Sequence, residues 1–512
     1  MTRQSDVVII GGGLAGLTLA LQLRTTLPAL SVTVLERHRP PAPETTFKVG
    51  ESMVEVSSWY LREVLGLGDY LLESHLLKFG LRFFMSDLDN RDLGCRPEYG
   101  LLNVPQGTPD KPTANFPTIH LPTYHVDRGR LENYLLERCR AAGVEVVEAC
   151  KVKALNFGDP HELAADANSL QLQSRWVIDA TGRAGFLARR LKLRKPQGHS
   201  VNAAWFRLAE RIDPDHWTED SAYHSRTRPQ QRWRSTNHLM GPGYWVWLIP
   251  LPTGATSVGI MADPAQHSFD QLNRFEKVLT WLRAREPQLA EVASSLAPLD
   301  FHAMRARSYL SQRTFSADRW ALCGESAFFV DALYSPGGDF IAVGNTLITQ
   351  MIAADCASDR LQLAILARFG EELLNGMFRH YFGLYQGNYP LMGNPGVMLQ
   401  KVAWDTAFYF AYNVLLFRNG RFCDPVFHQA IREENARLES LQQRMRYRFK
   451  RSEAEQIAYS GHFVDQACVE PIQSLYQSSK DRLEDTEVLK ARLGENIRVL
   501  EHFSNTIEEL VR

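Results

Sequence analysis

The N-terminus constrains this chain more than any other stretch. Val7-Val8-Ile9-Ile10 is a short β-branched run of the kind found in buried parallel strands. Gly11-Gly12-Gly13-Leu14-Ala15-Gly16 follows, and the pattern then predicts a helix from Leu17 to Arg24. Ser31 to Leu35 predicts a second strand, and Glu36 at its end lies 20 residues beyond Gly16. A strand before GxGxxG, a helix after it and an acidic residue closing the next strand make the glycines a dinucleotide fingerprint. Gly11 permits the tight turn, Gly13 lets the backbone approach a pyrophosphate, and Gly16 lets helix and strand pack closely. The helix N-terminus at Leu14 and Ala15 offers free N–H groups to phosphate. Glu36, with Arg37 beside it, is placed to meet a ribose, and its charge repels a 2′-phosphate. The expected class is α/β, with a Rossmann-like, three-layer, mostly parallel sheet.

The rest of the chain adds to this unit rather than repeating it. At 512 residues the length prior is about three units. Lys plus Arg is 57 against 58 for Asp plus Glu, so no chain-wide basic footprint for nucleic acid exists. Seven cysteines, an odd number with no Cys-x-x-Cys pair, argue against a disulfide framework, a redox pair or a zinc ribbon, and no metal is expected. The N-terminus lacks a signal-peptide layout. The most apolar stretch, Ala403 to Phe417, is too short to span a bilayer and carries Asp405 and Asn413. A soluble cytoplasmic enzyme without a membrane span is expected. Arg128 to Gly143 reads as a helix, and Val144–Val147 and Arg175–Ala180 read as strands. Residues 202–208, 244–250 and 256–262 are strand-like in a tryptophan-rich stretch, Trp320–Glu325 resembles a returning strand, and the pattern from about 340 is helical. The expected division is 1–195 for the nucleotide domain, with a substrate-facing excursion near 80–120, then 196–300 for an inserted mixed-sheet substrate domain. Residues 301–360 would return to the nucleotide domain and 361–512 would form a helical C-terminal region.

Several segments favour FAD, bound non-covalently, over NAD. Asp179-Ala180-Thr181-Gly182 resembles the ATG-type motif of FAD-dependent oxidoreductases. Gly324-Glu325, followed by Pro336-Gly337-Gly338, resembles the GD…P…G segment of flavoprotein monooxygenases, with Glu325 replacing the usual Asp. Asp127-Arg128-Gly129-Arg130 resembles the arginine-bearing helix that reaches the cofactor in that class. No second dinucleotide fingerprint appears, so a separate NAD(P)H:flavin reductase is the expected electron source.

Two further stretches narrow the resemblance. Trp245-Val246-Trp247-Leu248-Ile249-Pro250 is WxWxIP, and the chain resembles the flavin-dependent halogenases, which carry that hexamer with the N-terminal glycines. Lys78-Phe79-Gly80-Leu81-Arg82-Phe83 is similar to the halogenase segment in which a lysine precedes a short strand, 26 residues after Ser52 in Gly50-Glu51-Ser52. The resemblance covers residues 5 to about 350 in pieces. It implies that Lys78 meets hypohalous acid, as a hydrogen-bond donor or as a haloamine, and that Gly50, Glu51, Ser52, Arg128, Thr181, Gly182, Gly324, Glu325, Gly337 and Gly338 contact FAD. Read by itself, WxWxIP is a strand whose alternate tryptophans share one face. With the family, Trp245 and Trp247 form a wall between flavin and substrate.

Departures bear on the halide. In the family it sits against amides after the serine of a Ser-x-Gly turn; here the turn is Ser335-Pro336-Gly337, and Pro336 has no N–H. Tyr334 stands where tryptophan-specific halogenases have a carboxylate, and Ala332 replaces a proline. The expected substrate is an electron-rich phenol, pyrrole or indole-type aromatic, free or tethered to a carrier protein, with chloride or bromide. A halide-free monooxygenase acting on an aromatic or amine remains open. So do a flavoprotein prenyl reductase and a flavin-holding interaction protein.

Overall fold

A computed structural model describes residues 2–44, 46, 48–86, 89–103, 107–108, 111–112, 121–451 and 462–510. Part of the excursion expected near 80–120 lies outside the described residues. Two sheets organise the molecule. In the first, Arg3–Ile10 pairs in parallel with Val32–Leu35 on one side and with Gln171–Asp179 on the other. Glu145–Val147 extends it beyond Val32–Leu35, and Trp320–Leu322 returns alongside Gln171–Asp179, also in parallel. Val7, Val8 and Ile9 have no exposed surface, as a strand covered on both faces requires. The first helix runs Leu14–Thr26, with Gly13 as its N-cap, so it begins three residues before the sequence pattern predicts. Gly11, Gly12 and Gly13 need no further turn residues to leave the strand.

The second sheet is mixed and larger. Its order is Phe328–Phe329, Pro298–Ser311, Arg194–Leu208, Thr256–Ala262, Tyr244–Pro250, Thr236–Gly241, Leu81–Phe84, Glu98–Gly100 and Phe463–Asp465. It therefore draws strands from the 80–100 stretch, from the C-terminal region and from Pro298–Ser311, which crosses the boundary expected at 300. The tryptophan strand alternates as its pattern predicts. Trp245, Trp247 and Ile249 join the main core, whereas Tyr244, Val246 and Leu248 pack in a second cluster with helices Phe275–Arg285 and Pro287–Ser295. Gly259 opposes Trp247, and a Cβ there would sit 1.9 Å from the indole ring.

From Pro336 onward the chain is largely helical. Pro336–Cys356 packs against the Leu14–Thr26 helix and against Arg360–Tyr385. A π-helical segment, Tyr409–Val414, follows Pro395–Phe408. Glu470–Lys480 and Thr486–Leu510 then close over it. Among the described residues no helix is long and apolar enough to cross a membrane.

Candidate active site

The glycines at the ends of the first sheet divide into two kinds. Gly11 and Gly16 are packing glycines: a Cβ on Gly11 would meet the Ala180 carbonyl oxygen at 2.4 Å, and one on Gly16 would meet the Gly11 oxygen at 2.0 Å. Gly13, Gly182 and Gly337 face open space, with no atom within 4 Å of where a Cβ would stand. Internal packing does not require glycine at Gly13 or Gly337, so the room fits a ligand that approaches the backbone there. The Glu36 carboxylate accepts from the Gly12 N–H at 2.6 Å and the His38 N–H at 2.8 Å, which fixes it beside the turn. Arg37 is exposed, and its Nε donates to His38. Leu14 and Ala15 open the helix at the same place. These residues fit an adenine dinucleotide.

Asp179 organises the second edge of this cradle. Its carboxylate accepts from the Thr181 amide at 3.0 Å, the Thr181 hydroxyl at 2.6 Å and the Leu187 amide at 2.7 Å. Gly324 has φ +61° and lies against Ala15. Glu325, in the position of the usual Asp, is held by Arg183 at 2.9 Å. Four residues expected at the cofactor, Glu51, Arg128, Gly338 and Gly50, also make contacts within the protein. The Glu51 carboxylate is buried and paired with Arg207 at 2.6 Å, tying its loop to the second sheet. Arg128 binds the Val49 carbonyl and Glu132 rather than open space. Gly338 is a close-approach glycine, where a Cβ would meet the Ser57 Cβ at 2.6 Å. Gly50, at φ +92°, abuts Arg128.

A cavity of about 540 Å³ lies between the second sheet and the C-terminal helices. Lys78 and Tyr334 line it, whereas Trp245, Trp247, Ser335 and Pro336 do not. Lys78 ends the strand Leu76–Lys78 and is only 3% exposed. Its ammonium donates to Ser52 Oγ at 3.1 Å and to the Met53 carbonyl at 2.5 Å. Burial brings its pKa down to about 8, against the opposing pull of Glu55 and Asp339. Asp339 is pushed up to about 7, chiefly by burial, although the Tyr409 hydroxyl and the Ser57 amide bind it at 2.8 and 3.0 Å. Burial also raises Glu55, a cavity residue near Lys78. Tyr334 donates to Asp405 at 3.0 Å, and Lys401 pairs with the same carboxylate at 2.5 Å.

The sequence reading named Lys78 and Tyr334 but missed Glu55, Asp405, Tyr409 and the whole C-terminal wall, including Ile472 and Tyr476. Ser52 reaches Lys78 rather than standing apart with the cofactor glycines. Pro336 begins the helix and is buried, and Ser335 precedes it with φ +55°.

Comparison with known proteins agrees with this geometry. Residues 6–78 match a family model for FAD dependent oxidoreductases. The chain is 26% identical over 438 residues to the flavin-dependent halogenase chlA of Dictyostelium discoideum, covering 79% of this chain and 69% of that protein. It is 26% identical over 344 residues to a 1H-pyrrole-2-carbonyl-[peptidyl-carrier protein] chlorinase of Pseudomonas fluorescens, covering 65% of this chain and 72% of that one. A structure of the halogenase PltM in complex with FAD aligns with a TM-score of 0.64 at 19% identity, over 99% of this chain and 96% of that chain. In sequence and in fold, the chain is similar to the flavin-dependent halogenases among the FAD-dependent oxidoreductases.

Proposed function

We propose that this protein halogenates an electron-rich aromatic compound, with FAD held by the Gly11–Gly16 turn, Glu36, the Ala180–Gly182 edge and the Gly337 helix start. When bound, FAD supplies the redox chemistry by which oxygen and a halide become hypohalous acid. The observation that carries the reading is Lys78: a buried lysine, anchored by Ser52 and Met53, in the wall of an aromatic cavity. With its pKa near 8, about one lysine in ten is neutral at pH 7. The neutral amine attacks the halogen of hypohalous acid, an N–halogen bond forms, and water leaves. A ring carbon then takes the halogen, the N–halogen bond breaks, and the ring proton passes to the amine. Lysine suits this because it is a compact nitrogen whose pKa yields to burial.

Glu55 lines the cavity near Lys78, which fits its carboxylate to accept from a substrate hydroxyl or N–H there. Asp405 Oδ2, by contrast, already accepts from both Tyr334 and Lys401. Reduced FAD comes from a separate flavin reductase, a reading supported by the single dinucleotide fingerprint. A carrier-tethered substrate is supported by the pyrrolyl-carrier chlorinase among the relatives. Pro336 favours one second reading, a monooxygenase that uses no halide, because it removes an amide from the turn. Mass spectrometry of phenols, pyrroles and indoles treated with enzyme, reductase, oxygen and bromide separates the two. Halogenation gives products with paired bromine isotope lines; products carrying only an added oxygen would establish the monooxygenase.

A further inference from the structure

The WxWxIP strand is left without a task by the cavity, since neither tryptophan lines it. Its first tryptophan is nevertheless committed to a definite partner. The buried Trp245 indole N–H donates to the Tyr389 hydroxyl at 3.1 Å, and that hydroxyl donates to Asp331 Oδ2 at 2.8 Å. His199 Nε2 lies 2.8 Å from the same oxygen. The other oxygen, Asp331 Oδ1, accepts from the backbone amides of Ala332 at 2.8 Å and Leu333 at 3.2 Å. One carboxylate thus has a side-chain half and a backbone half, and the backbone half is a turn.

That turn is strained. Tyr334 and Ser335 are consecutive non-glycine residues in the left-handed region, at φ +66° and +55°. Residues with a Cβ adopt this conformation at a cost, and two in succession persist only when the surroundings over-determine them. Asp331 supplies two of the constraints, Tyr385 Oη donates to the Leu333 carbonyl at 2.6 Å, and the Ser335 amide donates to the Ala332 carbonyl at 3.0 Å. Tyr334 faces the cavity, and Pro336 starts the helix whose second residue, Gly337, faces open space. The turn therefore joins the cavity to the cofactor cradle.

We propose that Trp245 is a positioning residue for the Asp331–Ser335 turn, acting through the Tyr389 hydroxyl and the Asp331 carboxylate, and that WxWxIP thereby sets the halide-facing backbone. The second half of this statement rests on the halogenase reading; the first does not. Trp245→Phe and Tyr389→Phe each remove a donor and keep most of the ring. Hydrogen exchange read by mass spectrometry on the FAD-loaded protein tests the positioning without any turnover. Exchange over residues 330–336 should speed about five- to ten-fold in each variant, the worth of one neutral hydrogen bond. Exchange at the Gly11–Gly16 turn should not change. The double variant should match the single ones, because both cut the same chain. Unchanged exchange at 330–336, or fully additive effects, would overturn the assignment. Bromide titration of the oxidised flavin's absorbance then addresses the halide: weaker binding in both variants supports the full proposal, and equal binding overturns its second half. A wild type with no bromide response would refute the halogenase reading, while the exchange result would still decide the role of Trp245.

Discussion

The cofactor cradle and the aromatic cavity are built in opposite ways. The proposed cradle comes from short contiguous motifs at strand ends, Gly11–Gly16 and Ala180–Gly182, where backbone conformation and missing side chains leave room for a ligand. The cavity is assembled from residues hundreds of positions apart: Glu55, Lys78, Tyr334, Asp405, Tyr409 and Tyr476. One region is defined by what glycine leaves out, the other by buried charge and aromatic surface. The difference predicts separable failures: cradle variants should lose FAD, and cavity variants should lose product while FAD stays bound.

Gly13→Val is the largest expected effect. Its side chain enters the open space of the cradle, and FAD should no longer copurify, whereas the fold should survive because nothing in the protein is struck. A fully yellow variant would show that the cradle is elsewhere. Lys78→Met should abolish halogenation with FAD affinity unchanged, and it should not destabilise the protein at pH 7. The sign follows from the titration. The folded pKa near 8 lies below the unfolded value near 10.4, so the unfolded chain binds more protons in between. Wild-type stability carries the full penalty of the buried ammonium below pH 8, and the penalty fades as the pH rises to the unfolded value. Urea melts at pH 7 should place the variant at or above wild type by up to about 3 kcal/mol, less what the orphaned Ser52 and Met53 acceptors cost. A variant less stable at pH 7 than wild type would mean that Lys78 holds the fold together.

Gly337→Ala and Gly338→Ala sharpen the contrast between neighbours. Gly338→Ala should cost about 1–3 kcal/mol of stability through its clash with Ser57, while Gly337→Ala should cost little stability and weaken FAD. Reversed outcomes, read by thermal melts and flavin titration, would exchange their roles. Glu55→Gln should have the smallest effect on the fold. Its charge raises the Lys78 pKa, so its removal should move the acidic limb of the rate–pH profile to lower pH. An unmoved limb would separate Glu55 from Lys78.

The same contrast explains what was legible in the sequence. Gly11, Gly13, Gly16 and Glu36 carry their chemistry in spacing along one β-α-β unit, and the structure returns that unit with its helix three residues longer at the start. The alternation of Trp245 and Trp247 was legible because period-two patterning is local. Their partner was not, since Tyr389 lies 144 residues beyond Trp245. Glu51 was named through family resemblance, and its ion pair with Arg207, 156 residues away, left no mark in local spacing. Lys78 was legible only through family resemblance, and its burial and its neighbours Glu55 and Asp339 emerge from three separate elements. The C-terminal third matched no motif, yet Gln466–Lys480 contributes a wall of the cavity.

The most direct test of this division follows the halogen itself. FAD-loaded Lys78→Ala is given reductase, oxygen, bromide and an aromatic substrate, alongside a dye that reports free hypobromous acid. The cradle should still generate the oxidant. Bromination of the dye should therefore rise to the level of oxygen consumed, while brominated substrate, abundant with wild type, disappears. Brominated substrate at wild-type yield from Lys78→Ala, or loss of the dye signal together with the product, would contradict the assignment of oxidant formation to the cradle and halogen transfer to Lys78.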